Sequence, residues 1–260
     1  MPEIRLTKDG ATAWLTIDHQ ERLNALTGDM LLQLDAGMDE IEADPEIRAV
    51  VLTGAGSKAF ASGGDISKFG ETRKNYDQTR AAGERRSAIF GRLGTLSKPT
   101  ISMIRGYCMG GGMALSLQTD LRFAAEGSTF GIPAAKLGIA YGQDGIEKLV
   151  ALTGPARARD ILYSARKIGA EEAERMGLIN KVLPFEALEG YVREYCEMLA
   201  RNAPISIANS KLVIGEVLKP RDKRDHAAME AMQKKAADSA DFVEGRTAFM
   251  EKRRPVFRGA

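Results

Sequence analysis

Apolar and polar positions alternate over Ile4–Thr7 and again over Ala13–Ile17, on either side of Asp9-Gly10. A period of two flanking a dipeptide that tolerates positive φ predicts a β-hairpin. The period then lengthens. Leu31, Leu34, Met38 and Ile41 recur every three or four residues behind Thr27, a good capping residue, and Asp44-Pro45 closes the run. That spacing predicts a helix. Arg48–Thr53 and Thr100–Ile104 read as buried strands, the first ended by Gly54-Ala55-Gly56 and the second followed by the glycine-rich turn Gly106–Gly112. Between them the polar, glycine-interrupted segment 61–83 predicts a loop, and Ala88–Leu96 predicts a helix stopped by Lys98-Pro99. Met113–Gln118 starts another helix, Leu121–Ala125 and Thr129-Phe130 read as short strands, and the chain is mainly helical from Tyr141 onward, broken at Pro155, Gly177 and Pro204. Strand–helix alternation followed by a helical tail predicts the α/β class.

Composition narrows the function. The chain has 260 residues, room for one large domain or one and a half. Its 37 Lys and Arg against 35 Asp and Glu leave a net charge of +2, which argues against a dedicated nucleic-acid binder. Two cysteines exclude a disulfide scaffold and are too few for a cysteine-based zinc site. The most apolar stretch, Ile101–Leu117, is interrupted by Arg105 and four glycines and is too polar to span a membrane. With no apolar targeting segment at the start, the expectation is a soluble cytoplasmic protein without a membrane partner.

Glycine, at 27 residues, is the enriched type. Gly54-Ala55-Gly56-Ser57-Lys58-Ala59 follows a strand and matches the dinucleotide pattern G-x-G-x-x-A. The glycine pair Gly63-Gly64 that follows spoils the helix such a site needs, and no acidic strand end lies downstream. Two further clusters, Ala59–Ile66 and Gly106–Ala114, each follow a buried strand and precede a helix. Glycine there admits a ligand close to the backbone, and a helix start presents free N–H groups. Two such donors converging from separate loops would form an oxyanion hole; tight turns alone would use the same glycines, and the residues by themselves leave both readings open. His19 and His226 have no third ligand near them and read as solvated or capping. Cys108 reads as a small buried apolar residue. Asp65 reads as a helix cap, Asp120 as structural, Glu147 as surface, and Arg221, Lys223 and Arg224 as a solvated basic face.

Together with Arg22-Leu23-Asn24-Ala25-Leu26, these two clusters resemble the crotonase superfamily, also called the enoyl-CoA hydratase/isomerase family. The likeness continues in order through Asp120–Glu126, Ser128–Pro133, Ala173–Val182 and Glu244–Pro255, so it runs nearly end to end. It implies a spiral of ββα turns over residues 1–200 and a C-terminal helical trimerisation region over 201–260, assembled as a homotrimer or a hexamer. It implies an acyl-CoA substrate that carries its own coenzyme A, with no separate cofactor and no metal. The resemblance assigns the N–H groups of Gly64 and Gly111 to the thioester oxygen. It puts Arg22, Asn24, Ala25, Leu26, Ala61 and Ser62 against CoA, and with them Phe249 and Lys252 from a C-terminal basic segment (Lys252, Arg253, Arg254) that often reaches a neighbouring subunit.

The departures from the family pattern bear on the reaction. Family hydratases carry one glutamate in the pattern G-G-G-x-E and a second after F-G-x-P. Those positions are Ala114 and Ala134 here. Alanine neither activates water nor delivers a proton, and positioned acid–base groups contribute 10²–10⁴-fold. The loop Leu137–Ile146 is similar to that of the family's methylmalonyl-CoA decarboxylases, which have a tyrosine at the position of Tyr141. Tyr141 is then a wall or proton donor of the site, or simply a packed tyrosine. Asp144 is a substitute acid–base group, or a cap for a helix beginning at Gly145 with Lys148 as its ion-pair partner. The expected function is acyl-CoA chemistry through an oxyanion-stabilised enolate, with decarboxylation or isomerisation favoured over efficient hydration. The alternatives are an enoyl-CoA hydratase with a substitute acid–base group and a non-catalytic acyl-CoA-binding protein.

Overall fold

The structure, a computed structural model, describes residues 1–65 and 75–260. The hairpin forms as the alternation predicts. Strands β1 (Glu3–Asp9) and β2 (Thr12–Asp18) pair antiparallel, with Asp9 opposite Thr12 and Gly10 at φ +56° in the turn. Helix α1 (Gly28–Ala43) is capped by the Thr27 side chain, which accepts from the Met30 N–H, and buries Met30, Leu34, Met38 and Ile41.

The chain then winds in three similar turns, each a strand of a large sheet, a short strand of a second sheet and a helix. They are β3 (Ala49–Gly54), β4 (Ala59–Ala61) and α2 (Tyr76–Thr95); β5 (Thr100–Ile104), β6 (Tyr107–Met109) and α3 (Gly111–Ser116); and β7 (Leu121–Ala125), β8 (Thr129–Gly131) and α4 (Gln143–Ser164). Strand β9 (Ile168–Gly169), α5 (Ala170–Arg175) and β10 (Lys181–Leu183) follow, then α6 (Leu188–Ala200), α7 (Pro204–Val217), α8 (His226–Ala237) and α9 (Ala240–Glu251). The large sheet runs β1-β2-β3-β5-β7-β10 and is parallel from β2 onward; the small one runs β4-β6-β8-β9, with β9 antiparallel to β8.

Burial explains the strand sequences. Every residue of β3 and of β5 is buried, because the large sheet is covered on both faces. One core joins Leu15, Leu34, Phe60, Phe90, Met113 and Phe130. The other lies under α6, where Phe123 meets Tyr191 and Tyr195 edge-on, each with ring centroids 5.1 Å apart. Asp120 is structural, as expected: its carboxylate accepts from the Thr100 N–H at 2.7 Å and from Lys211 Nζ of α7 at 2.9 Å. None of the described helices is long and apolar enough to cross a membrane.

Three boundaries differ from the sequence reading. Of the segment 61–83, residues 66–74 lie outside the described residues, and the part from Tyr76 is helix, not loop. Asn75 starts α2 by accepting from the Gln78 N–H at 2.9 Å. Its first turns bury no large apolar residue, so they lack the periodicity that marks Ile89, Phe90 and Leu93. Helix α3 begins at Gly111, two residues before Met113, and α4 begins at Gln143.

Candidate active site

The site is built by three loops that hold one another through their backbones. In the first, Leu23 and Asn24 both adopt left-handed φ, +51° and +57°. Asn24 is buried and its amide works inside the protein: Nδ2 donates to Ala59 O at 2.6 Å and Ala55 O at 3.0 Å, and Oδ1 accepts from the His19 N–H at 3.0 Å. His19 stands at the N-cap of the short 3-10 turn Gln20–Arg22, its carbonyl accepting from the Arg22 N–H at 2.9 Å, but its side chain makes no capping bond and is not fully solvated. Its half-buried ring bonds through Nδ1 to the Ala25 carbonyl at 2.9 Å.

This fixed turn carries the second loop. Leu26 N–H donates to Gly63 O at 2.7 Å, Asp65 N–H to Leu26 O at 3.1 Å, and Ser62 N–H to Leu23 O at 3.0 Å, a parallel bridge that leaves the Gly64 N–H pointing elsewhere. The Ser62 hydroxyl donates to Arg22 O at 3.1 Å, and the Arg22 guanidinium stands 3.7 Å from the Asp65 carboxylate. The helix that Asp65 was expected to cap lies outside the described residues.

The third loop joins β6 to α3. Gly110, at φ +50°, donates its N–H to Gly131 O at 2.8 Å. A Cβ on Gly112 would strike Ala61 O at 2.2 Å, so only glycine lets α3 sit this close to β4. The consequence is a meeting of two donors. A Cβ on Gly111 would stand 3.1 Å from Gly64 N, and one on Gly63 would stand 3.4 Å from Gly111 N. Among the described residues, neither the Gly64 nor the Gly111 N–H donates to a protein acceptor. Two free N–H groups side by side, one at the first turn of a helix, suit an oxygen that gains negative charge.

Tyr141 closes one side. Its hydroxyl donates to Gly110 O at 3.1 Å, and a Cβ on Gly145 would come within 2.7 Å of its ring. Burial pushes the Tyr141 hydroxyl well above the ordinary tyrosine range, with Arg86 of α2 acting in the opposite direction. Among the described residues no carboxylate acts on it. Ala134 belongs to the surrounding apolar cluster, with Ala114, Ile139 and Tyr141 packed against it. Cys108 behaves as expected: it is fully buried and its thiol is pushed up to about 12 by burial.

Other residues lie apart. Asp144 sits exposed in the first turn of α4, where Gly142 is the cap and no side-chain capping bond forms. It also makes no ion pair with Lys148, so the capping reading is corrected: the helix starts two residues earlier than the sequence indicated. Glu147 is exposed and accepts from Gln143 at 2.7 Å. Phe249, 82% exposed, and Lys252, at φ +55°, end α9 and have no hydrogen bond to the three loops. Arg253 is held by Glu244 at 2.6 and 2.8 Å, which removes it from the free basic segment. Sequence reasoning missed Arg86 because it lies between the segment 61–83 read as loop and the helix expected from Ala88, although its position three residues before Ile89 was a usable signal.

The family model for enoyl-CoA hydratase/isomerase matches residues 7–260. The chain belongs to the enoyl-CoA hydratase/isomerase family. It is 35% identical over 249 residues to the short-chain-enoyl-CoA hydratase of Clostridium acetobutylicum, covering 96% of this chain and 95% of that protein. It is 30% identical over 268 residues to the carnitinyl-CoA dehydratase of Escherichia coli O157:H7, covering 98% of each. The crystal structure of an enoyl-CoA hydratase/carnithine racemase from Magnetospirillum magneticum matches with a TM-score of 0.94 at 32% identity, over 100% of this chain and 97% of that one. The ββα spiral with C-terminal helices is therefore the fold of the enoyl-CoA hydratase/isomerase family, and family members act on acyl-CoA thioesters.

Proposed function

We propose that the chain binds an acyl-CoA thioester with its carbonyl oxygen between the N–H groups of Gly64 and Gly111, and that it forms an enolate there by decarboxylation or isomerisation in preference to hydration. One observation carries this reading: two free N–H donors meet, among the described residues, next to an apolar cluster that holds Ala134 and against which Ala114 packs, the two positions where family hydratases carry glutamate. One donor of this kind is worth ~3 kcal/mol in the transition state. Loss of CO₂ suits such a site, because the reaction itself supplies the carbanion. The bond between the α-carbon and the carboxylate breaks, its electron pair passes into the enolate, and CO₂ leaves. A proton then reaches the α-carbon from water, or from the Tyr141 hydroxyl, which regains one from water. Held above its ordinary range, Tyr141 stays protonated at neutral pH, which fits a donor or a wall and not a base.

Arg22, Ala25, Leu26, Ala61 and Ser62 line the CoA path in this reading, while Asn24 shapes it from below. Phe249 and Lys252 are supplied to the site of a neighbouring subunit. Phe242, Val243, Phe249 and Met250 of α9 are all exposed, an apolar surface that a homotrimer, or a hexamer built from two, would cover. No cofactor is required beyond the CoA of the substrate.

A second reading, an enoyl-CoA hydratase with a substitute base, is favoured by the relative named short-chain-enoyl-CoA hydratase. Asp144 is the group it would use. Incubation with crotonyl-, malonyl- and methylmalonyl-CoA, read by mass spectrometry, separates the two. Loss of CO₂ supports the first, gain of water the second. Binding without any product leaves a non-catalytic acyl-CoA-binding protein.

A further inference from the structure

Helix α2 carries two arginines whose partners are evident. Arg80 pairs with Glu84 at 3.2 Å, and Arg92 pairs with Asp35 and Asp39. Arg86 differs from both. It is half-buried, on the face that also holds Ala82, Gly83, Ile89, Phe90 and Leu93. Ile89, Phe90 and Leu93 belong to the same apolar cluster as Met113 and Ala134, against which Ala114 and Tyr141 pack. Residues three and four apart share a helix face, so Arg86 sits one turn before the side chains by which α2 joins that cluster. Its charge reaches the Tyr141 hydroxyl. Among the described residues Arg86 makes neither a hydrogen bond nor an ion pair.

A cation drawn partly out of water beside an apolar wall is unfavourable unless an anion accompanies it. The described walls supply none at this point, and an acyl-CoA with a plain hydrocarbon chain would supply none either. We propose that Arg86 is the counter-ion for a free carboxylate at the far end of the acyl group, so that the site takes CoA thioesters of dicarboxylic acids, of the malonyl or succinyl type. The proposal rests on the acyl-CoA reading above and goes further by naming the substrate class and the residue that selects it. A planar guanidinium meets a carboxylate through two parallel N–H···O bonds, which lysine cannot reproduce.

The test compares matched thioesters that differ by a carboxylate: malonyl-CoA against propionyl-CoA, and succinyl-CoA against butyryl-CoA, with free CoA as a fifth probe. Dissociation constants are measured by calorimetry for the full chain and for Arg86→Gln and Arg86→Lys. The wild type should prefer the carboxylated member of at least one pair by about ten- to a hundredfold, the range for a hydrogen bond between charged groups. Arg86→Gln should erase that preference and Arg86→Lys should keep part of it. Because the readout is a ratio within one sample, a partly unfolded variant does not imitate the result. A wild type without carboxylate preference overturns the inference alone. So does an Arg86→Gln protein that weakens every probe equally, free CoA included, since Arg86 would then be meeting a CoA phosphate. If no thioester binds at all, the acyl-CoA reading falls and takes this inference with it.

Discussion

A methyl group on Gly111 would stand 3.1 Å from the amide nitrogen of Gly64, a residue of the preceding turn of the spiral. The two loops thus approach to van der Waals contact, and among the described residues neither N–H group has a protein acceptor. Gly111→Pro tests this, at the cost of a tight contact that the backbone of Gly63 and Gly64 must relieve by a few tenths of an ångström. Gly111 is the first residue of α3, where proline is well tolerated. Gly110 before it has φ 50° and ψ −110°, the mirror image of an extended residue, which proline accepts after itself. The substitution removes one donor and fills the gap with the ring. Turnover of whichever thioester the wild type consumes should fall at least 100-fold, in the range for loss of one such donor. Thermal melting should show the fold retained. A variant with more than a tenth of wild-type turnover would remove Gly111 from the site.

Asn24 supports the other donor at one remove. Its amide closes three hydrogen bonds, and the turn it stabilises holds Gly63 and Asp65 through Leu26. Asn24→Ala strips the buried carbonyl of Ala59 and the half-buried one of Ala55 of a donor and places alanine at φ +57°. Each orphaned buried group costs about 1–3 kcal/mol, so chemical denaturation should show a loss of at least ~2 kcal/mol. Affinity for butyryl-CoA should fall as well, because the Gly64 N–H loses its frame. Unchanged stability with unchanged affinity would show that the turn holds itself.

These two residues show what the sequence disclosed and what it hid. The hairpin and α1 were legible because burial imposes a period, two in β1 and three to four in α1, and β3 and β5 because they are buried throughout. The first half of α2 was not, since Tyr76–Arg85 bury no large apolar side chain and their helix rests on the Asn75 cap and on the packing of later turns. The glycine clusters were legible as clusters. Their meeting was legible only through the family resemblance, because nothing local in Gly63-Gly64 or in Gly110-Gly111 specifies that two loops from different turns arrive at one point. That follows from β4 pairing with β6 and from Gly112 packing on Ala61. The ring bond of His19 was hidden for a related reason: its partner, the Ala25 carbonyl, lies just beyond Leu23 and Asn24, which both take left-handed φ.

Tyr141 gives a pH-dependent signature. Burial raises its pKa above the ordinary ~10. Above that pH the unfolded chain releases a proton that the native chain retains. Its contribution to stability is therefore intact below pH ~10 and is lost as the pH climbs through the raised value. Tyr141→Phe should flatten the alkaline fall in melting temperature between about pH 9.5 and 11 relative to wild type. At neutral pH the same variant should lose only about 0.5–1 kcal/mol, because Gly110 O also accepts the Ala114 N–H at 2.9 Å and stays satisfied. Identical alkaline slopes would mean that the hydroxyl is open to solvent.

The strongest test of the proposed chemistry is to put back what Ala114 and Ala134 lack. Ala114→Glu with Ala134→Glu places two carboxyl groups against the same apolar cluster on which Tyr141 packs. Burial and mutual repulsion should push their pKa values apart, leaving one protonated and one ionised near neutral pH. That is the pair hydration requires: a base for water and an acid for the α-carbon. Hydration of crotonyl-CoA, followed by loss of its ultraviolet absorbance, should rise well above wild type in the double variant. The two groups act as a unit, so each single variant should show little or none of the gain. Any loss of CO₂ from malonyl-CoA should not rise in parallel, because that step asks only for the two N–H donors. A wild type that already hydrates crotonyl-CoA with kcat above ~10 s⁻¹ would overturn the premise. Asp144→Asn would then decide whether the exposed carboxylate at the start of α4 had moved in to replace the missing pair.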